Sequence, residues 1–219
     1  MIAVAIDGPA GAGKSSIARA VAKKKGYIYV DTGALYRTIG LYCIRKGISY
    51  NDAESVLSEI KVELKYENGE QAMYLLGENV TSLIRTEEVS MAASAVSAVP
   101  AVRAFLLETQ RDLARKNNVI MDGRDIATVV LPDAKVKIFL TASPECRAKR
   151  RVTQLAEKGI IEDYNKVLEE VNTRDYNDSH RAVAPLKPSE ESVVIDTTED
   201  SFEDSVEKIL AVIEEKTGE

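Results

Sequence analysis

Histidine occurs once in the 219 residues, at His180, cysteine only at Cys43 and Cys146, and tryptophan not at all. A histidine-built metal cage or a Ser-His-Asp triad therefore has almost nothing to work with. The two cysteines stand in unrelated contexts, which suits free thiols in a reducing cytoplasm better than a disulfide framework. Basic charge is in deficit too: 29 Lys and Arg face 35 Asp and Glu, for a net charge of −6. A chain that wraps a nucleic-acid polymer wants the opposite balance, so no such partner is expected. Long apolar runs are missing. The most membrane-like stretch, Met91 to Val102, contains Ser94, Ser97 and Pro100 and falls well short of the ~20 apolar residues of a span. It is read as a buried helix, and no membrane association is expected. Met1-Ile2-Ala3-Val4-Ala5-Ile6 has no basic leader and runs straight into Asp7-Gly8, so it is read as a strand and not as a signal peptide.

What is present suffices for one substantial core, and residues 1–219 are expected to form a single unit. Short, continuously apolar runs recur at Ile2–Ile6, Tyr27–Val30, Val119–Met121, Val136–Leu140 and Val193–Ile195. Such runs suit parallel strands covered on both faces. The segments between them carry helix punctuation. Ser15 to Lys25 ends in three lysines and Gly26, which suit a helix C-terminus. Ser143-Pro144-Glu145 is an N-cap, a first-turn proline and an acid, opening a helix towards Gly159. A last helix opens near Ser201 with Val206, Ile209, Leu210 and Ile213 on one face. The alternation predicts a doubly wound α/β fold with a five-stranded parallel sheet. One segment departs from it: Val62, Leu64 and Tyr66 alternate with charged residues, and Asn68-Gly69 signals a type I′ hairpin into Gln71–Leu76. A small antiparallel sheet is thus inserted, and Thr86 to Asn117 follows as two helices divided at Pro100.

Gly8-Pro9-Ala10-Gly11-Ala12-Gly13-Lys14-Ser15, followed by Ser16, fits G-x-x-x-x-G-K-[ST] and stands between the first strand and a helix. Glycines let backbone N–H groups converge on phosphate oxygens, and the helix N-terminus adds positive potential. Lys14 reaches the β- and γ-phosphates, and Ser15 can ligate Mg²⁺. A nucleoside triphosphate with Mg²⁺ is the expected ligand. The base-reading N-K-x-D of a switch GTPase is approached only by Asn165-Lys166-Val167-Leu168, which lacks the Asp. Asp122, at the end of a strand, suits either support of the Mg²⁺ shell or a plain turn at Asp122-Gly123.

Arginines are scattered near expected loops and helix ends: Arg37, Arg103, Arg124, Arg147, Arg150, Arg151, Arg174 and Arg181. Two segments alternate them with carboxylates, Asp122-Gly123-Arg124-Asp125 after a strand and Arg174 to Arg181 after a helix. Arg grips phosphate bidentately while Asp accepts from OH or NH₂, so this mixture suits a nucleoside monophosphate.

These stretches, together with Asp31-Thr32-Gly33-Ala34-Leu35-Tyr36-Arg37, Thr128-Val129-Val130 and Ala184-Pro185-Leu186, resemble the bacterial cytidylate (CMP) kinases in order and over essentially the whole chain. The resemblance implies a P-loop kinase with an inserted NMP-binding region at about 35–116 and a short lid near 150–182. It implies phosphoryl transfer from MgATP to CMP, and to dCMP, in pyrimidine nucleotide metabolism by a cytoplasmic monomer. By the same resemblance Arg37, Arg124 and Arg181 clamp the CMP phosphate, and Arg174 and Asp178 hold the ribose. Thr32, Ser94, Arg103 and Asp125 face the cytosine, and Tyr36 belongs to the same substrate set. Lys14, Arg124 and Arg181 are the expected catalytic residues. Thr32 stands where many relatives have Ser, which keeps the hydroxyl. The segment Asn177 to Ser179 lacks extra arginines that some members carry in the lid, and Arg147, Arg150 and Arg151 are the substitutes considered for contact with the ATP phosphates.

Overall fold

The computed structural model describes residues 1–67, 69–157 and 159–218. In chain order the elements are β1 (Ala3–Asp7), α1 (Lys14–Lys25), β2 (Ile28–Asp31), α2 (Thr32–Lys46), β3 (Val62–Glu67), β4 (Glu70–Leu75), β5 (Glu78–Asn79), α3 (Glu87–Val96) and α4 (Pro100–Lys116). After them come β6 (Val119–Gly123), β7 (Val136–Thr141), α5 (Pro144–Ala156), α6 (Tyr164–His180), β8 (Val193–Asp196) and α7 (Phe202–Thr217). Short 3₁₀ runs at Tyr50–Glu59 and Leu83–Arg85, and a π-type turn at Ile126–Val130, fill the connections. The chain divides into two compact units, one of Tyr29–Asn117 and one of Ile2–Ile28 with Asn118–Glu219.

The parallel sheet has the order β2-β6-β1-β7-β8, and β2 enters it at Ile28, whose N–H donates to Asn118 O at 2.9 Å. β1 is central and pairs in parallel with both β6 and β7. Val4, Ala5 and Ile6 are fully buried, as expected of a strand covered on both faces. Helix ends follow the punctuation. Gly26 takes the left-handed conformation after α1 and its N–H returns to Ala22 O. Ser143 caps α5 through Cys146 N, and Ser201 with Asp204 forms a full capping box on α7.

In the unit Tyr29–Asn117, α3 packs directly on α2 at Gly40, where a Cβ would lie 2.9 Å from Ala92 Cβ. Leu35, Ile39, Met73, Ile84 and Leu106 fill its core, with Cys43 buried among them. The antiparallel sheet is β3-β4-β5. Pairing of Glu67 with Glu70 leaves a two-residue loop in which Gly69 has φ +82°; Asn68 lies outside the described residues. β5 is an addition to the sequence reading. It follows a second two-residue loop, Leu76-Gly77, whose φ values are +52° and +87°, and a leucine with positive φ is too uncommon to serve as a turn signal.

Two expectations are corrected. Met91 to Val102 is not a single buried helix, for the chain breaks after Val96, restarts at Pro100 and turns through 100°, leaving Met91 exposed. Pro100 holds Val99 in extended backbone, which ends one helix and opens the next. No single described helix is long and apolar enough to cross a membrane. The segment from Arg174 does not follow a helix; it is the C-terminal half of α6. Asp163 caps that helix through Lys166 N at 3.0 Å, and no breaker intervenes before Arg181 returns to extended backbone.

Candidate active site

The glycine-rich loop leaves β1 at Gly8, where a Cβ would lie 1.9 Å from Leu140 O, and Gly11 and Gly13 both have positive φ. Its carbonyls are held by the protein. Lys14 Nζ donates to Pro9 O at 2.7 Å, Arg147 to Ala10 O at 3.0 Å, Thr197 Oγ1 to Ala12 O at 3.4 Å and Ser16 Oγ to Gly13 O at 2.9 Å. Carbonyls tied back in this way suit a loop whose N–H groups, with the N-terminus of α1, serve an anion. Lys14 is buried. Burial pushes its ammonium well below the usual lysine range and the Arg124 charge adds to this, against the pull of Asp122, Asp7 and Asp178. A bound polyphosphate supplies the negative charge that favours the protonated form.

Ser15 Oγ donates to Asp122 Oδ2 at 2.8 Å, and Asp122 is 4% exposed. Of the two readings of Asp122, this contact favours the metal-supporting one. A hydroxyl and a carboxylate are hard oxygen donors, and Mg²⁺ needs only one or two from the protein when phosphates and water complete its shell. Among the described residues no group of three His, Cys, Asp or Glu could form a dedicated cage, so the donors present fit Mg²⁺ carried with a nucleotide.

In the same unit Arg124, Asp125, Arg174, Asp178 and Arg181 come together. Arg124 Nε donates to Asp178 Oδ2 at 2.9 Å, Arg181 Nε to Ala184 O at 2.6 Å, and Arg181 lies 3.6 Å from Asp125 Oδ1. Burial alone would raise the Asp178 carboxyl, but Arg124, Arg174 and Arg181 outweigh it and hold it below the usual range. A residue the sequence reading gave no role organises this cluster. Asp7, 1% exposed, accepts from the N–H groups of Ile126 and Ala127, both at 2.7 Å. It thereby fixes the backbone that follows Arg124-Asp125. Burial pushes the Asp7 carboxyl up to about 6 despite those two bonds and the nearby Lys14. A lone acid ending an otherwise apolar strand was its sequence signal.

Arg147 and Arg150 both have protein partners. Arg147 is bound to Ala142 O, Ala10 O and Asp175, and Arg150 donates to Thr197 O at 2.6 Å. Arg147 thereby satisfies a part-buried carbonyl of the phosphate loop, and Arg150 one that follows β8. Arg151 remains at the surface, bonded to Gln154. His180 stacks on Tyr176 with ring centroids 4.1 Å apart.

In the unit Tyr29–Asn117, Asp31 caps α2 through Ala34 N at 3.0 Å and binds Arg37 at 2.7 Å and Arg85 at 2.9 Å. Burial acts to raise the Asp31 carboxyl, but Arg37 and Arg85 prevail and lower it. Gln71 of β4 braces the same residue, accepting from its N–H at 2.8 Å. Neither Arg85 nor Gln71 was anticipated, since nothing in their local sequence links them to Asp31. Thr32 and Tyr36 are buried one turn apart on α2. Arg103 lies 5.7 Å from the Tyr36 ring centroid and donates to Ser97 O at 3.3 Å, and Ser97 Oγ donates to Ser94 O at 2.7 Å. Thr32, Tyr36 and Arg37 from α2, Ser94 from α3 and Arg103 from α4 are thus all ordered in this unit.

A phosphate loop between strand and helix, with a hydroxyl–carboxylate pair beside it and a separate arginine-rich cluster, defines a P-loop phosphotransferase. The family model described as cytidylate kinase matches residues 4–215. A cytidylate kinase of Caldicellulosiruptor saccharolyticus is 49% identical over 220 residues, covering 99% of this chain and 97% of that one. Another, from Lactobacillus johnsonii, is 45% identical over 219 residues, covering 99% and 95%. The chain belongs to the cytidylate kinase family. Among solved structures, a gluconokinase from Sinorhizobium meliloti 1021 matches with a TM-score of 0.50 at 16% identity, over 98% of this chain and 92% of that one, a likeness of fold alone.

Proposed function

We infer that the chain transfers the γ-phosphoryl group of ATP to CMP, and to dCMP, giving ADP and the corresponding diphosphate. The observation that carries this is the family membership, supported by the cluster in which Arg124 and Arg181 stand beside Asp178 and Asp125 in the unit that holds the phosphate loop. A nucleotide sensor, or a kinase of an acceptor without a phosphate, needs no arginine cluster of this kind. Gly8 to Ser16 would cradle the ATP phosphates, with Lys14 on the β- and γ-oxygens. Arg124 and Arg181 would hold the acceptor phosphate, while Arg174 and Asp178 take the ribose; Arg37, by the family resemblance, is likewise proposed as a phosphate ligand. Asp125, with Thr32, Ser94, Arg103 and Tyr36, would serve the nucleoside. Ser15 and Asp122 would hold Mg²⁺, which when bound neutralises and orients phosphate oxygens. The attacking acceptor oxygen is already anionic, so no general base is needed and the residues work by position and charge. This agrees with the lone, surface-stacked His180.

Helices α5 and α6, over about 150–182, are read as a lid that excludes water once both nucleotides are bound, and 35–116 as the NMP-binding region. We propose a monomer, and two cysteines in unrelated contexts, both free, support a cytoplasmic location. An ADP-release assay over a panel of nucleoside monophosphates tests the reading. Turnover should be highest with CMP and dCMP, and a flat response across the panel overturns it.

A further inference from the structure

Arg147 is 2% exposed, and its guanidinium joins three segments of one unit. Nε donates to Ala142 O at 2.8 Å, ahead of α5. One terminal nitrogen donates to Ala10 O of the phosphate loop and to Asp175 Oδ1 of α6, both at 3.0 Å. The other donates to Asp175 Oδ2. The packing is equally close, since a Cβ built on Gly11 would lie 3.3 Å from Arg147 Cβ. Asp175 sits next to Arg174 and one turn before Asp178, and its own carbonyl accepts from Ser179 Oγ at 2.7 Å.

We propose that Arg147 is a positioning residue that, through Asp175, ties the phosphate loop to the C-terminal half of α6, so that each nucleotide binds more tightly when the other is present. The proposal rests on the reading of the loop as the ATP site and of Arg174 and Asp178 as acceptor residues. Only arginine presents a planar fork that engages a carboxylate bidentately while still reaching a backbone oxygen; a lysine ammonium has neither the reach nor the geometry. The guanidinium is buried, so leaving it without its carboxylate is costly and the pair resists separation. A shift of α6 as Arg174 and Asp178 close on an acceptor therefore draws Asp175, then Arg147, then Ala10. The coupling must act equally in both directions.

The test measures binding of a non-hydrolysable ATP analogue with and without CMP, by calorimetry, in wild type, Arg147→Lys and Asp175→Asn. In wild type CMP should tighten the analogue by about fivefold or more, and the analogue should tighten CMP by the same factor. In both variants the factor should fall below about twofold, with CMP alone binding within about threefold of wild type; a merely structural role lowers Tm and leaves the factor intact. Asp175 is 27% exposed on its side chain, so its Asn variant decides the matter should Arg147→Lys fail to fold. If wild type turns CMP over but shows no coupling, or Asp175→Asn retains it, the link is wrong and the acceptor reading stands. If wild type neither binds CMP nor turns it over, both fall.

Discussion

Ser15 Oγ and Asp122 Oδ2 are 2.8 Å apart although 107 residues separate them in the chain. The contact joins the start of α1 to the C-terminal end of β6, and it brings together two oxygen donors suited to a nucleotide-borne Mg²⁺. Replacing the carboxylate by an amide in Asp122→Asn keeps the shape and removes the charge. The Mg²⁺ concentration for half-maximal turnover should rise about tenfold or more, equivalent to ~1.4 kcal/mol. A Mg²⁺ titration of ADP release reads it, and an unchanged midpoint assigns Asp122 to structure.

Lys14→Ala should lower turnover by about 10²–10⁴, because preorganised charge at a transferring phosphoryl group contributes roughly 3 kcal/mol or more. Folding should survive, since the substitution also removes an ammonium whose burial is unfavourable. Circular dichroism with steady-state kinetics checks both halves. Turnover within about threefold of wild type removes the phosphate-loop assignment.

Asp125→Ala should collapse the preference for CMP over UMP. Cytosine offers an amino donor where uracil offers an oxygen, and N3 accepts where uracil donates. If Asp125 accepts from the cytosine amino group, the mismatch with uracil costs about 1–3 kcal/mol, so wild type should favour CMP by roughly tenfold or more in kcat/KM. Equal losses on CMP and UMP in the variant would make Asp125 a partner of Arg181 and nothing more.

Gly8→Ala should be poorly tolerated on steric grounds alone. Its Cβ would stand 1.9 Å from Leu140 O, a backbone atom of β7, so strands at the centre of the sheet would have to part, at a cost of about 3 kcal/mol or more. Thermal denaturation should show a large fall in Tm. Gly26→Ala is the control, since a Cβ there meets nothing within 4 Å and carries only the strain of positive φ.

Asp7 makes the stability of the protein depend on pH in an unusual direction. Its carboxyl is raised from 3.8 to about 6 in the folded chain, so between those values the folded state holds a proton that the unfolded state has released. Its contribution to stability is therefore greatest at low pH, declines as pH rises from about 4 to 6, and is level above that, by about 3 kcal/mol in all. Urea unfolding of wild type and Asp7→Asn from pH 4 to 7 checks this. The stability of wild type minus that of Asp7→Asn should fall by about 3 kcal/mol as pH rises from 4 to 7, whichever protein is the more stable at pH 4, and a difference that rises contradicts the assignment.

The glycine spacing from Gly8 to Ser15, the apolar strands and the capped helix starts at Ser143 and Ser201 all follow from local rules acting over a few residues, and they were legible without coordinates. The family resemblance rested on the same short stretches. What could not be read were pairings across long separations. Asp7 with Ile126 and Ala127, Asp31 with Arg85, and Arg147 with Ala10 and Asp175 each unite groups that the chain holds far apart. Sequence alone determined that there would be a phosphate loop, a parallel sheet and a supply of arginines. Which arginines face a ligand and which brace the loop was decided by tertiary structure, because a guanidinium goes to whichever buried oxygens the fold brings within reach, and that depends on how β1, β6, α5 and α6 pack.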